Sequence, residues 1–309
     1  MKKLDEYLTI IVNSCDAYED LWYPFFKLYD IYAGKLKECN IVLNTETKSY
    51  SYPGLNIISY GMEEYNNIPW GARLRKHLKN IITPYVLLLM DDFFLRDRIR
   101  ECDYKRIVNC VEWMMSNPEI GAMNLLPLDG VTEESQYEGF CEIKPGTPYR
   151  LNAQACIWRK EVLYDSILDS ESPWIWEIYG NYRNDILLSS RIFSLKWGER
   201  EPYNYGFYDY RHKDEFGRVV AQSGVMRGKW DLSVVDDLFK ANSIEIDYSR
   251  RGVYKKSLKK RIKENTVLRW LIYKPYAFLG LSHIQKKNLE DENHRKLIAE
   301  YVTPYIGHE

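Results

Sequence analysis

The stretch YVLLLM, residues 85–90, constrains the fold more than any other part of the sequence. Its six residues are apolar or aromatic without interruption, so a strand formed here needs protein covering both of its faces. Such strands are typical of a parallel sheet between two layers of helices. Two carboxylates, Asp91 and Asp92, follow the stretch directly. The sequence therefore predicts a central strand with paired negative charge at its tip.

The segments before this strand alternate in the way that a parallel sheet requires. The runs YLTIIVNS, NIVLNTE and LNIISYG are apolar and of strand length. The segment AYEDLWYPFFKLYDIYAG predicts an amphipathic helix that contains Pro24 and ends at Gly34. A second helix is predicted in PWGARLRKHLKNI, which has apolar side chains on one face and cations on the other. We therefore predict an α/β fold of the Rossmann-like kind, with a mostly parallel central sheet flanked by helices.

The middle of the chain has a different character. Further strands are predicted in GAMNLLPL and in RLNAQACIWRKEVL. Between them, DGVTEESQYEGFCEIKPGTP is polar and rich in Gly and Pro, which predicts a long surface loop. A loop of this length within a compact domain is more often functional than idle.

Composition and charge narrow the class of protein. The chain has 309 residues, of which 45% are hydrophobic and 28% are charged, as in globular proteins. A net charge of −1 gives no general attraction to nucleic acid, so no nucleic-acid partner is expected. The six cysteines show no CxxC spacing, and no P-loop or GxGxxG pattern is present. No apolar run approaches the roughly 18 residues of a membrane-spanning helix. We expect a cytoplasmic protein with reduced thiols.

The C-terminal part is strongly basic and then turns apolar, from SRRGVYKKSLKKRIKEN to TVLRWLIYKPYAFLGL. One interpretation is that residues 250–274 lie on an anionic membrane surface, which would place the protein at the inner face of the cell membrane. The other is a solvated basic helix followed by one that packs on the domain. Both interpretations stay open from sequence.

The paired carboxylates at the end of the central strand predict a ligand site. Ligands of open α/β sheets bind in the crevice at the carboxyl ends of the strands. Carboxylate oxygens suit Mg²⁺ or Mn²⁺, and a cation held there can bridge a diphosphate. The alternative is that Asp91 and Asp92 only turn the chain, a common role for Asp.

The frame W…RL…L…I…PYVLLLMDDFFL resembles the bacterial GT-A-fold glycosyltransferases that build capsular polysaccharide or lipopolysaccharide. The resemblance extends over about residues 7–230. Those enzymes carry a DxD-type motif at the end of this strand, whereas the present motif is MDDFF. The resemblance implies that Asp91 and Asp92 bind metal and nucleotide, with Asp92 favoured on the metal.

The same resemblance assigns further residues to the nucleotide. The loop after the first strand would take the base, and it contains Asn13, Ser14 and Asp16. Arg73, on the helix before the central strand, lies where such enzymes often reach the nucleotide. Its other interpretation is an ordinary solvated helix arginine.

The second half of the chain holds the implied catalytic residues. SESPWIWEIYGNYRND resembles the acidic segment that faces the acceptor, and Glu177 beside two tryptophans is the candidate base. Asp185 is the second candidate. His212 in YGFYDYRHKDEFG would complete the metal site, and Arg227 and Lys229 in AQSGVMRGKWD would close over the diphosphate.

The sequence thus predicts a metal-dependent, inverting glycosyltransferase. It would move a sugar from a nucleotide-diphosphate sugar, by resemblance a UDP-sugar, to a saccharide or lipid-linked acceptor in surface polysaccharide synthesis. Residues 1–245 would form the catalytic domain, with a nucleotide half over 1–95 and an acceptor half over 96–245. Residues 246–309 would form a helical basic segment. Two alternatives remain open: a sugar nucleotidyltransferase, although NSCDAYEDLW has neither Gly nor Lys for a phosphate loop, and a non-catalytic sugar- or nucleotide-binding scaffold.

Overall fold

The computed structural model describes residues 3–60, 68–128, 132–199, 208–213, 219–221, 223–255 and 293–306. Nine strands form the main sheet: β1 Leu8–Asn13, β2 Ile41–Asn44, β3 Ile57–Ile58, β4 Tyr85–Met90, β5 Ile120–Pro127, β6 Thr132–Glu134, β7 Phe140–Ile143, β8 Cys156–Arg159 and β9 Arg191–Leu195. Their order across the sheet is β3-β2-β1-β4-β8-β5-β9-β7-β6. Two small hairpins pair β10 Tyr208–Lys213 with β11 Val219–Ala221, and β12 Val225–Met226 with β13 Lys229–Trp230.

The described α-helices flank the main sheet or follow it. They are α1 Glu19–Tyr32, α2 Trp70–Asn80, α3 Glu101–Ser116, α4 Lys160–Ser166, α5 Pro173–Ile175, α6 Asn181–Leu187 and α7 Leu232–Ala241, with a further helix over residues 293–301. A π-helical turn, Trp176–Gly180, joins α5 to α6 without a break. Short 3₁₀ helices span Leu4–Glu6, Asp16–Tyr18, Gly34–Glu38 and Thr303–Tyr305.

The sheet is mostly parallel, and both of its faces are covered. Strands β3, β2, β1 and β4 pair in parallel, and β5 pairs in parallel with β9. Successive residues of β4 alternate between two separate cores: Leu87 and Leu89 pack with α1, α3 and α7, whereas Val86 and Leu88 pack with α2 and α4. This alternation follows from the period of two along a strand. The predicted fold class, an α/β fold with a mostly parallel sheet flanked by helices, is confirmed.

Two details differ from the sequence prediction. The polar segment after β5 is not a structureless loop, because β6 and β7 pair within it and extend the sheet. Phe140 and Ile143 are fully buried there, so a few apolar residues anchor an otherwise polar hairpin. In RLNAQACIWRKEVL, only four residues form a strand, and that strand, β8, runs antiparallel between β4 and β5.

Only parts of the C-terminal segment are among the described residues. Residues 251–255 lie beside the β12–β13 hairpin, where the Tyr254 amide donates to the Trp230 carbonyl at 2.8 Å. The helix over 293–301 packs near α6, since Arg183 donates to the Tyr301 carbonyl at 2.9 Å. Most of the basic stretch predicted to meet a membrane, residues 256–274, is outside the described part. In the described part, no helix has the length and apolarity needed to cross a membrane. The predicted division at residue 245 stays a prediction.

Candidate active site

The paired carboxylates lie at the carboxyl edge of the parallel strands, as predicted. The Asp91 amide donates to the Asn13 carbonyl at 3.1 Å, which continues the β1–β4 ladder one residue beyond Met90. Asp91 therefore keeps the alternation of β4, and its side chain faces the layer that contains α1. Ser14 has the matching position on β1, and its hydroxyl donates to the Asp91 carboxylate. The Trp22 indole in turn donates to the Ser14 hydroxyl at 2.6 Å, so α1 fixes this arrangement.

Asp92 leaves the strand and is held by the β12–β13 hairpin. The Ser223 hydroxyl donates to Asp92 Oδ2 at 2.6 Å, and the Gly224 amide donates to the Asp92 carbonyl at 2.8 Å. Gly224 is required for this approach, because a Cβ at that position would overlap the Phe94 ring. Asp92 Oδ1 is buried and has no hydrogen-bond partner among the described residues. This oxygen is an acceptor without a donor, which fits a cation or a ligand proton.

Burial of two adjacent carboxyl groups changes their acidity. Burial, together with the charge of Asp92, raises the pKa of Asp91 well above its usual range. Burial raises the pKa of Asp92 to about 6, although the hydrogen bond from Ser223 acts in the opposite direction and lowers it. The pair thus has an excess of negative charge that a divalent cation would relieve.

Arg251 lies at this site, although the sequence placed it in the segment predicted to contact a membrane. Arg251 forms a two-point ion pair with Asp20 at the start of α1, and its Nη1 donates to the Gly228 carbonyl at 3.3 Å. Its guanidinium lies 4.5 Å from the centre of the Tyr18 ring, and its charge lowers the pKa of both Asp91 and Asp92. Asp20 and Arg251 are 231 residues apart in sequence, so no local pattern could have joined them.

The residues predicted to bind the base lie on two sides of the β1 and β2 ends. Asn13 faces the α2 layer, where its Oδ1 accepts from Asn44 at 2.9 Å and from the Trp70 indole at 3.1 Å. Its Nδ2 is buried without a partner in the described part of the chain. The Asp16 carboxylate instead accepts hydrogen bonds from the backbone of residues 46–48, including Thr47 at 3.1 Å. Asp16 therefore joins the loops that follow β1 and β2.

Arg73 is neither solvated nor fully satisfied. Only 4% of the residue is exposed, and its guanidinium forms an ion pair with Glu46 at 2.6 Å. Its Nε has no hydrogen-bond partner among the described residues. Nearby, burial, Glu46 and Asp91 raise the pKa of Cys15 to about 11, so this thiol stays protonated at neutral pH. A raised pKa does not favour a cysteine nucleophile at this position.

The two candidate bases lie on one helical face and contact one loop. Glu177, Asn181 and Asp185 are spaced by four residues, and all three bind the loop over residues 146–153. Glu177 Oε1 accepts from the Ala153 amide at 2.8 Å, and Asp185 Oδ2 accepts from the Gly146 amide at 2.8 Å. Because residue 153 shortly precedes β8, which pairs antiparallel with β4, Glu177 lies toward the same sheet edge as Asp91.

The carboxylates of Asp185 and Glu177 differ in how many of their oxygens already accept hydrogen bonds. Asp185 uses both oxygens, since its Oδ1 also pairs with Arg150 at 3.3 Å. Among the described residues, Glu177 accepts a hydrogen bond on Oε1 alone, and burial raises its pKa. Glu177 also lies within the π-helical turn, a feature that occurs frequently at functional sites. The geometry favours Glu177 as the group that accepts a proton.

The remaining predicted residues are only partly described. Arg227 and Lys229 are exposed at the tip of the β12–β13 hairpin, beside Asp92's partner Ser223. Arg227 and Gly228 have φ values of 53° and 75°, the pattern of a tight type I′ hairpin turn. His212 lies in β10, but its side chain is outside the described part. Among the described residues, no group of three or more His, Cys, Asp or Glu side chains is arranged to bind a metal.

Comparison with known proteins gives only distant likenesses. No protein-family model matches the chain, and no curated protein matches it. Among solved structures, S. aureus TarS in complex with UDP is 13% identical over 61% of this chain and 57% of that one, with a TM-score of 0.42. Mannosyltransferase PcManGT from Pyrobaculum calidifontis, with GDP-Man and Mn²⁺, is 11% identical over 63% and 58%, with a TM-score of 0.37. The bifunctional IspDF from Campylobacter jejuni is 13% identical over 64% and 51%, with a TM-score of 0.35.

The chain spans less than two thirds of each of these structures, and only 35% of a longer TarS chain. Likenesses this distant say nothing about what the present chain binds. The function proposed below therefore depends on the residues of the site.

Proposed function

We propose that this chain is a glycosyltransferase that moves a sugar from a nucleotide-diphosphate sugar to a saccharide or lipid-linked saccharide acceptor. The proposal is based on one observation: two different acidic sites lie toward the same edge of the sheet. Asp91 is buried and Asp92 next to it has a buried Oδ1 without a partner in the described part of the chain, whereas Glu177 accepts one hydrogen bond there, on Oε1. The first site suits a cation and a diphosphate, and the second suits a proton acceptor.

The donor side would bind the nucleotide diphosphate. Asp91 and Asp92 are the residues that would hold Mn²⁺ or Mg²⁺, which when bound would neutralise charge on the diphosphate. The unpartnered Asp92 Oδ1 fits this role, and His212 is a proposed third ligand. Arg227 and Lys229, exposed on the hairpin attached to Asp92, would cover the diphosphate. Asn13, Ser14, Asp16 and Arg73 would shape the pocket for the base.

The acceptor side would carry out the proton transfer. An acceptor hydroxyl would lose its proton to Glu177 Oε2 as its oxygen forms a bond to the anomeric carbon. The bond from that carbon to the diphosphate oxygen would break on the opposite side, which inverts the configuration. The hydrogen bond from Ala153 fixes the orientation of the carboxylate, and the raised pKa of Glu177 makes it a better base. Asp185 is less suited, because both of its oxygens are engaged.

The cellular setting is part of the proposal. A role in capsular polysaccharide or lipopolysaccharide synthesis would suit a cytoplasmic protein at the inner membrane face, held there through residues 250–274. The first two cations of that range are already paired within the chain, Arg250 with Glu19 and Arg251 with Asp20. Any membrane contact would therefore depend on the later cations.

Calorimetric titration of the full chain with UDP, GDP and CDP, each with and without Mn²⁺, tests the proposal. We expect one nucleotide to bind more tightly than the others, with Mn²⁺ increasing its affinity. Titration with UTP and CTP tests the nucleotidyltransferase alternative, which predicts that a triphosphate binds more tightly than its diphosphate. A folded protein that binds none of these nucleotides would contradict both enzymes and favour the non-catalytic scaffold.

A further inference from the structure

One tryptophan beside the candidate base is exposed, unlike most of the others. Trp174 in α5 is 72% exposed, whereas Trp22, Trp158, Trp176 and Trp230 are almost fully buried. An exposed indole has a large apolar face, and its neighbour two positions on, Trp176, already supplies the local core. Packing therefore does not account for Trp174, and a ligand that covers its ring would.

Helix geometry puts Trp174 on the side of the helix that carries Glu177. Trp174 precedes Glu177 by three residues, about one helical turn. The π-helical turn Trp176–Gly180 follows, so the side that Asn181 shares with Glu177 is established by their contacts and not by the spacing. The same face binds the loop over residues 146–153, through Ala153 at Glu177 and through residues 147 and 151 at Asn181. Trp174 thus lies one turn before Glu177, on the exposed side of the contact between helix and loop.

A second exposed aromatic ring stands at the top of that loop. Tyr149 is 53% exposed and has a φ of 58°, a left-handed backbone conformation that is uncommon for a bulky residue. The loop is fixed on both sides of it, since Asn181 accepts from the Leu151 amide at 3.2 Å and donates to the Thr147 carbonyl at 2.9 Å. Arg150 is locked as well, by its ion pair with Asp185. Strain that is held so firmly is found mainly where a side chain must be presented for function.

The three observations describe one surface. Asn181, which binds the loop on both sides of Tyr149, lies seven residues after Trp174, about two turns along the helical segment. Glu177, with its unbonded oxygen, lies between them. Two exposed aromatic faces on either side of a carboxylate suit a ligand with apolar faces and hydroxyl edges, which is the chemistry of a pyranose sugar. A partner protein or a membrane would instead favour a continuous apolar patch, without a buried carboxylate at its centre.

We infer that Trp174 and Tyr149 form the acceptor subsite and stack on the sugar rings that flank the hydroxyl facing Glu177. The assignment rests on the proposed function, and it narrows the acceptor to a saccharide at least two rings long. Both residues would act on acceptor affinity and not on the donor, because neither contacts Asp91, Asp92 or their partners.

Saturation-transfer NMR with methyl pyranosides of glucose, galactose, mannose and N-acetylglucosamine tests the subsite without a known acceptor. The variants are Trp174→Ala and Tyr149→Gly, the second of which removes the ring while relieving the backbone strain. Trp197→Ala is the matched control, since Trp197 is 44% exposed but follows β9, near the ion pair of Glu199 with Arg106 of α3. Nucleotide affinity is measured for every variant by calorimetry.

We expect saturation transfer to at least one pyranoside in the wild-type protein. Because a single ring can stack on either side chain, its affinity should fall about tenfold or more in at least one of Trp174→Ala and Tyr149→Gly, and should be unchanged in Trp197→Ala. Nucleotide affinity should stay the same in all three. Pyranoside binding that is unchanged in both Trp174→Ala and Tyr149→Gly, or a wild-type protein that binds nucleotide but no pyranoside, would overturn the subsite. A wild-type protein that binds pyranosides through Trp174 but binds no nucleotide would contradict the proposed glycosyltransferase function. The proposed saccharide site would then remain supported.

Discussion

The donor side and the acceptor side of the proposed site are built in different ways. The donor side uses the ends of three parallel strands, β1, β2 and β4, and its hydrogen bonds join distant parts of the chain, since Ser14 binds Asp91 across 77 residues and Ser223 binds Asp92 across 131. The acceptor side uses a loop, a π-helical turn and a left-handed tyrosine, joined by hydrogen bonds between residues 24 to 39 apart in sequence. In the described part of the chain, three buried polar atoms of the donor side have no hydrogen-bond partner: Asp92 Oδ1, Asn13 Nδ2 and Arg73 Nε. On the acceptor side, Glu177, Asn181 and Asp185 all bind the loop. The comparison suggests that a ligand completes the first side, while the second is preformed.

Replacing the candidate base should have the largest effect. Glu177→Gln keeps an oxygen for the Ala153 amide but removes the proton acceptor, so we expect sugar transfer to slow by about 10²- to 10⁴-fold. Nucleotide affinity should not change. In the wild type, lowering the pH should reduce the rate of sugar transfer. The decrease should begin at a higher pH than for an ordinary glutamate, because burial raises the pKa of Glu177. A pH profile of kcat/KM checks both statements.

Asp185→Asn is the matched control on the same helical face. It leaves Arg150 buried without its charge partner, so the free energy of unfolding should fall while the transfer rate of folded protein changes little. If Asp185→Asn abolished transfer and Glu177→Gln did not, the two assignments would be exchanged.

Breaking the buried ion pair beneath the acceptor side should cost the most stability. Glu171 and Arg183 pair at 2.8 Å, with side chains 0% and 2% exposed. Glu171→Gln leaves the arginine charge buried, and we expect the free energy of unfolding to fall by about 3–5 kcal/mol in urea titrations. The exposed pair of Lys240 with Asp236 is the control, and Lys240→Ala should leave the urea midpoint unchanged.

Removing a donor-side carboxyl should stabilise the metal-free protein while destroying its binding. The folded pKa of Asp92, about 6, lies above its ordinary value of 3.8, so the folded state binds more protons between these two values. Stability should therefore fall as pH rises from about 4 to 6 and stay low above that. Asp92→Asn removes this loss, so thermal unfolding with EDTA at pH 7 should occur at a higher temperature than in the wild type. A lower unfolding temperature for Asp92→Asn would show that the carboxylate is structural.

Gly224→Ala should have the smallest of these effects on stability, and it tests how the hairpin supports Asp92. The added methyl group would overlap Phe94, which packs with Trp230 and Phe239, so we expect a loss of about 1–3 kcal/mol in the free energy of unfolding. Nucleotide affinity should fall as well. Gly54→Ala is the control for backbone strain without steric overlap, because a Cβ at Gly54 would meet no atom within 4 Å, whereas its φ of 83° is unfavourable for alanine.

The same contrast explains how much the sequence could predict. The donor side follows from local patterns: the run YVLLLM predicted β4, and its abrupt end predicted the position of Asp91 and Asp92. A strand was predicted in RLNAQACIWRKEVL, but the antiparallel direction of β8 and its place between β4 and β5 could not be predicted, since a short apolar run carries no signal for either. Arg251 was assigned to a basic tail because its neighbours are basic, and only the fold brings it to Asp20. Glu177 was found through its tryptophan neighbours, but the loop that distinguishes it from Asp185 depends on contacts distant in sequence.

The most direct test is a calorimetric titration of Asp92→Asn and Glu177→Gln side by side, with the best-binding nucleotide diphosphate and Mn²⁺. The two variants make the same chemical change, from a carboxylate to an amide, on opposite sides of the site. The account predicts that Asp92→Asn loses the Mn²⁺-dependent affinity, whereas Glu177→Gln binds as the wild type does. Equal binding by both variants, or a loss confined to Glu177→Gln, would contradict the division into a donor side and an acceptor side.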